Sequence, residues 1–238
     1  MKKVIKRKSK IFCDSADIKI IKKYSKNSLV CGFTTNPSLM RLSGAKNYEK
    51  YSKKILKICN NKPISFEVFA DNEKEMEIQA HKINSWGKNI YVKIPVTNTK
   101  GKFTGKLIKK LNSEGLKLNI TAVYTLNQVK KISRCLNKKT DTIISIFSGR
   151  MADAGKDPVP IIQSSVKYTK RNKKIKILWA STREAYNYTQ ASKYGCKIIT
   201  TPPAIIDKIL KFGKSFENLT KDTVKTFYSD AAKSKFNI

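Results

Sequence analysis

Eight times over, the chain alternates a short run of β-branched and aromatic residues with a longer segment whose apolar residues recur at helical spacing. The runs are apolar almost throughout rather than at every second position, which fits strands buried on both faces, as parallel strands under a layer of helices are. Eight such units within 238 residues predict an α/β fold: a single (β/α)8 TIM barrel. The main competitor, an open doubly wound sheet, usually carries a glycine-rich phosphate loop after its first strand. Here that position reads Asp14-Ser15-Ala16-Asp17, with no glycine.

The spacing predicts strands at 11–13, 29–33, 64–69, 89–97, 118–123, 142–147, 175–180 and 197–201. Helices are expected at 18–26, 48–59, 73–86, 101–114, 125–136, 161–171, 184–194 and 204–212. Residues 34–38 read as a polar turn around Pro37, residues 151–160 as a loop, and residues 220–233 as an additional C-terminal helix. Residues 1–10 form a basic N-terminal extension, and 11–238 a barrel domain that includes the last helix.

The fourth strand carries the most telling residue. Lys93 lies between Val92 and Ile94, where an unpaired ammonium is costly, so it must pair with a carboxylate or lose its proton. A neutral lysine amine can attack a carbonyl, and the resulting iminium is an electron sink for breaking a carbon-carbon bond. The bland reading is a strand-end lysine whose stem packs inside while its head reaches water.

In a barrel the C-terminal strand ends converge on one face, and chemistry sits there. Asp14, Asn36, Glu67, Lys93, Asn119, Thr121, Ser145, Arg150, Ser181 and Arg183 all fall in or just after strands. Each alone has a dull explanation: a helix cap for Asp14, a turn for Asn36, a structural ion pair for Glu67, core hydrogen bonds for Asn119 and Thr121, small fillers for the serines, solvation for the arginines. Together they place a polar group at one level on six or more strands, which points to a polar ligand. A lysine nucleophile, two carboxylates, amide and hydroxyl donors and two arginines suit a polyhydroxylated carbonyl compound carrying a phosphate. No metal and no cofactor is implied.

Charge adds a third class of reading. The 50 Lys and Arg against 17 Asp and Glu give a net charge of +33, which raises a polyanion as partner. The excess is almost all Lys and is spread over the whole length, whereas nucleic-acid readers concentrate charge and favour Arg; no specific nucleic-acid partner is expected, only weak, salt-sensitive binding. The five cysteines, at 13, 31, 59, 135 and 196, are odd in number and lie singly, as reduced thiols of a cytoplasmic protein do. One histidine, His81, excludes histidine-based metal sites and triads, and no run approaches a membrane span of ~18 apolar residues.

From about residue 11 to residue 230 the chain resembles the transaldolase family. The resemblance rests on DSAD at 14–17, GFTTNPSL at 32–39, FEV at 66–68, VKIPVT at 92–97, NITAV at 119–123, SIFSGR at 145–150 and ASTR at 180–183. It implies that Lys93 forms a Schiff base with C2 of a ketose phosphate, such as sedoheptulose 7-phosphate or fructose 6-phosphate. Asp14 would take the C4 hydroxyl proton as the C3-C4 bond breaks, and Glu67 and Thr121 would hold a proton-shuttling water. Asn36, Asn119 and Ser145 would bind donor hydroxyls, and Arg150, Ser181 and Arg183 the phosphate. The dihydroxyacetone unit kept on Lys93 would pass to an aldose phosphate, a step of the pentose phosphate pathway. In the neighbouring fructose 6-phosphate aldolases, glutamine and tyrosine tend to replace the residues matching Glu67 and Phe147, so these two residues point to the transferase. The shorter relatives tend to form rings through a C-terminal helix, which implies a homo-oligomer.

Overall fold

In a computed structural model, which describes residues 9–236, eight parallel strands hydrogen-bond in sequence order and β8 returns to β1, closing the barrel. The strands are β1 (Lys10–Asp14), β2 (Val30–Thr34), β3 (Ile64–Glu67), β4 (Ile90–Pro95), β5 (Leu118–Val123), β6 (Thr142–Ile146), β7 (Ile175–Trp179) and β8 (Ile198–Thr201). Between and after them run α1 (Ile18–Ser25), α2 (Pro37–Leu42), α3 (Tyr48–Ile58), α4 (Glu73–Asn84), α5 (Gly105–Ser113), α6 (Leu126–Arg134), α7 (Ser148–Asp153), α8 (Val159–Thr169), α9 (Tyr186–Lys193), α10 (Pro203–Ile209) and α11 (Phe216–Ser234). The TIM barrel and the additional C-terminal helix both follow the sequence expectation.

Strand alternation sorts the side chains into two cores. Outward residues such as Val92, Ile94, Ile120 and Trp179 pack under the helices in one continuous cluster. Inward residues Phe12, Tyr91, Ile143, Leu178 and Ile198 fill the lower barrel in a second, smaller cluster. One pleat higher on the same inward rows stand Asp14, Lys93, Ser145 and Thr200, two residues beyond Phe12, Tyr91, Ile143 and Ile198. Apolar residues therefore close the floor of the barrel, and polar ones line the mouth where the strands end.

Several expected boundaries shift, for local reasons. The turn at 34–38 opens directly into α2, because Asn36 caps it by accepting from Leu39 N at 2.9 Å and Pro37 occupies the first turn, where a missing N–H costs nothing. The helix expected from 101 begins at Gly105, since residues 97 to 103 fold into a small turn closed by an antiparallel bridge between Thr97 and Phe103. The loop at 151–160 is shortened by α7, and the last helix starts at Phe216, capped by Ser215. Lys10 belongs to β1 and pairs with Ile198, so the expected basic extension loses its last residue to the barrel; its first eight residues lie outside the described ones.

Candidate active site

Register alone brings three of the expected residues together. Glu67 on β3 is paired across to Lys93 on β4, and Lys93 to Asn119 on β5. The Lys93 ammonium lies 3.0 Å from Glu67 Oε2 and donates to the Thr35 carbonyl oxygen at 3.1 Å, with the two side chains only 9% and 16% exposed. Of the two options the sequence left for this lysine, the structure shows pairing.

Across the barrel, Asp14 stands at the end of β1, level with Thr34 of β2. The Thr34 hydroxyl donates to Asp14 Oδ1 at 2.6 Å and also meets the Thr200 hydroxyl of β8, so three strands hold one carboxylate. Burial pushes the Asp14 carboxyl above the ordinary carboxylate range, while Lys93 and the Thr34 hydrogen bond pull the other way. The Asn119 amide is fixed at both ends: Nδ2 donates to Ser65 Oγ at 3.0 Å, and Oδ1 accepts from Ser145 Oγ at 2.7 Å. Thr121 reaches the site through a bulge, where Ala122 adopts a positive φ of 58° and the β5–β6 register shifts. Its buried hydroxyl has no partner among the described residues.

Beyond the lysine, α7 and the β7–α9 loop supply the arginines. Gly149 is required there, because a Cβ would fall 1.5 Å from the Ser181 carbonyl oxygen. That contact seats Ser181 in the left-handed region, at φ 62°. The Arg150 guanidinium lies 5.6 Å from the centre of the Phe147 ring. Arg183 is gripped by Asp153, with Nε 2.9 Å and Nη2 2.6 Å from Oδ2.

A cavity of about 190 Å³ unites these groups; Asp14, Asn36, Lys93, Asn119, Thr121, Ser145, Phe147, Arg150, Ser181 and Arg183 all line it. Glu67 meets it through Lys93. A larger cavity, about 830 Å³, opens at the opposite end of the barrel beside Lys10, Phe12 and Ile198. Among the described residues no carboxylate lines it, and its floor is the apolar inner cluster, so the smaller cavity is the one equipped for chemistry. Among the described residues, no group of three or more His, Cys, Asp or Glu is placed to hold a metal ion.

Sequence reasoning missed five residues that shape this site. Thr34, Ser65 and Thr200 share the inward rows of Asp14 and Glu67, and strict alternation could have found them. The Tyr48 hydroxyl accepts from Glu67 N and donates to Glu67 O, both at 3.0 Å, and so fixes the main chain of β3 at its end. Burial raises that phenol far above its usual value, which keeps it a donor. Neither Tyr48 nor Asp153, which joins two segments 30 residues apart, leaves a local signal.

The family model described as transaldolase/fructose-6-phosphate aldolase matches residues 11–238. A probable transaldolase of Nitrosopumilus maritimus is 33% identical over 228 residues, covering 95% of this chain and 96% of that protein. One from Thermoplasma volcanium is 36% identical over 216 residues, covering 89% and 92%. Among solved structures, native KDPGal aligns over 94% of this chain and 96% of its own with a TM-score of 0.57 at 11% identity. A putative phosphonomutase from Burkholderia cenocepacia aligns over 87% and 92% with a TM-score of 0.57 at 9% identity. These two share the fold alone. On the family match and the two relatives, the chain belongs to the transaldolase/fructose-6-phosphate aldolase family.

Proposed function

We propose that this chain is a transaldolase, moving a dihydroxyacetone unit from sedoheptulose 7-phosphate or fructose 6-phosphate to an aldose phosphate through a Schiff base on Lys93, within the pentose phosphate pathway. The observation that carries this is the Lys93 ammonium held 3.0 Å from Glu67 at the mouth of a barrel, facing Asp14 and two arginines across one cavity.

The steps are those the family resemblance implies, and the geometry supports them. Glu67 accepts the proton that frees the Lys93 amine, and the amine adds to C2 of the ketose. The departing carbinol oxygen leaves as water, which Glu67 and the Thr121 hydroxyl, without a partner among the described residues, would hold. Asp14 then takes the C4 hydroxyl proton as the C3-C4 bond breaks, releasing an aldose phosphate and leaving the enamine on Lys93. Burial, which raises the Asp14 carboxyl, makes its carboxylate a stronger base for taking that proton; the proton returns to the alkoxide formed when the acceptor aldehyde is attacked, a far stronger base than any carboxylate. Asn36, Asn119 and Ser145 bind the donor hydroxyls; Arg150, Ser181 and Arg183 bind the phosphate. Glu67 and Phe147 favour the transferase over the aldolase of the same family, since a phenyl ring cannot supply a proton to the enamine.

The same reading includes a homo-oligomer, supported by α11, which buries none of its residues and exposes Phe216, Phe227 and Tyr228. It includes a cytoplasmic location, supported by five free cysteines. One barrel domain spans 11–238, the range of the family match.

The test is release of glyceraldehyde 3-phosphate from fructose 6-phosphate, with and without erythrose 4-phosphate, on the wild type and Lys93→Ala. Release that requires both the acceptor and Lys93 is expected. Release without acceptor moves the assignment to the aldolase, and no release in either case rejects both.

A further inference from the structure

The two arginines of the cavity are not in equivalent states. Arg150, on α7, rests against the Phe147 ring and has no carboxylate within ion-pair distance among the described residues. Arg183, in the loop after β7, is bound by Asp153, the last residue of α7: Nε lies 3.1 Å from Oδ1 and 2.9 Å from Oδ2, and Nη2 lies 2.6 Å from Oδ2. A guanidinium offers five N–H groups in one plane, and a carboxylate on the Nε–Nη2 edge leaves the Nη1–Nη2 edge free for a second anion. Arg183 lines the cavity and Asp153 does not.

From this arrangement we infer that Asp153 is a positioning residue for the anionic end of the substrate: it grips one edge of the Arg183 guanidinium and presents the other edge to the phosphate. The inference rests on reading the cavity as a sugar-phosphate site. Its physical content is entropic. An arginine without this grip has several rotamers to lose when an anion binds, and a gripped one has already lost them.

The surroundings are built to match. The Arg183 main-chain N–H donates to Asn187 Oδ1 at 3.1 Å, which anchors the base of the side chain. Gly149 and Ser181 touch too closely for any Cβ at 149, so α7 and the β7–α9 loop keep one separation, and Asp153 bridges them at the outer edge. Repulsion between Asp153 and a bound phosphate opposes the grip. Both side chains are about half exposed, at 47% for Arg183 and 51% for Asp153, so water and salt damp that repulsion while the hydrogen-bond geometry persists. The same exposure makes the pair nearly neutral for folding, so variants at 153 should remain intact.

The experiment is calorimetric binding of inorganic phosphate to the wild type, Asp153→Ala and Asp153→Glu at physiological salt, beside steady-state kinetics with fructose 6-phosphate. Asp153→Ala should raise the phosphate Kd and the KM for fructose 6-phosphate by roughly two- to tenfold, the cost of ordering one long side chain on binding. It should leave kcat within about twofold, and Asp153→Glu should recover part of the loss. Tighter phosphate binding by Asp153→Ala would make Asp153 a competitor of the ligand and overturn the inference, as would unchanged Kd and KM, or a fall in kcat at constant KM. Wild type that releases no product and binds no phosphate rejects the sugar-phosphate reading itself. Wild type that is active and binds phosphate, with Asp153→Ala indistinguishable from it, rejects the positioning role alone.

Discussion

Replacing Lys93 by methionine removes the proposed nucleophile and strands a carboxylate, so its cost should appear in stability as well as turnover. Charges 3.0 Å apart attract by roughly 5 kcal/mol at an effective dielectric of about 20. The intact pair contributes far less than that, because both ions had to leave water, but deleting one partner of a buried pair typically costs about 3–5 kcal/mol. For a domain of this size roughly 2 °C of Tm accompanies each kcal/mol, so Lys93→Met should melt roughly 6–10 °C lower at neutral pH. Asp14 is drawn into the effect, since Lys93 is one of the two influences that oppose its elevation by burial. As the pH falls and Asp14, already raised by burial, takes up a proton, the part of the deficit that its charge contributes should shrink. The assay is urea unfolding of wild type, Lys93→Met, Glu67→Gln and the double variant at pH 7.5 and pH 5. The double variant should be more stable than the sum of the single losses allows, by about 1–3 kcal/mol. A Lys93→Met loss below about 1 kcal/mol at pH 7.5, or strict additivity, would refute the reasoning that Glu67 and Lys93 are a coupled buried pair.

Asp14→Asn should abolish turnover and yet stabilise the fold. Because burial raises the Asp14 carboxyl in the folded state, ionising it weakens the fold: the penalty is absent below the unfolded-state value of about 3.9 and fully present above the raised folded value. The neutral amide removes that penalty, so thermal melts should show the variant ahead by about 0.5–2 kcal/mol at pH 8 and level with wild type near pH 3.5; a variant less stable at pH 8 would contradict the assignment. Deleting the chain from residue 215 onwards should leave a folded barrel, because no residue of α11 is buried, but should dissociate the proposed oligomer. Sedimentation velocity reads this directly, and a monomeric full-length chain would remove α11 as the contact.

The residues most legible in the sequence were those whose polarity clashed with their neighbours. A lysine between Val92 and Ile94, and an asparagine and a threonine alternating on β5, stand out in apolar strands, and the fold puts all three at the cavity. What stayed hidden was of two kinds. Some partners act through the main chain, as Tyr48 does on Glu67, and a tyrosine in an amphipathic helix gives no sign of where its hydroxyl ends. Others act through conformation. Ala122 and Ser181 adopt positive φ without being glycine, so residue type could not announce the bulge that delivers Thr121 or the turn that presents Ser181. Helix α2 was obscured by Pro37, read as a turn residue although it suits a first helical turn equally well.

The threonine chain beside Asp14 spans the place where the first strand meets the last. Thr34 and Thr200 come from β2 and β8, 166 residues apart, and they touch only because the ring has closed. A half-made barrel, however rich in helix and strand, keeps Thr34 beside Asp14 but leaves that pair without Thr200, and the cavity without the groups that follow from β6, β7 and β8. Competence in this molecule is therefore a property of the completed circle and of no arc within it, and the gain of activity during refolding would time the joining of the two ends of the sheet.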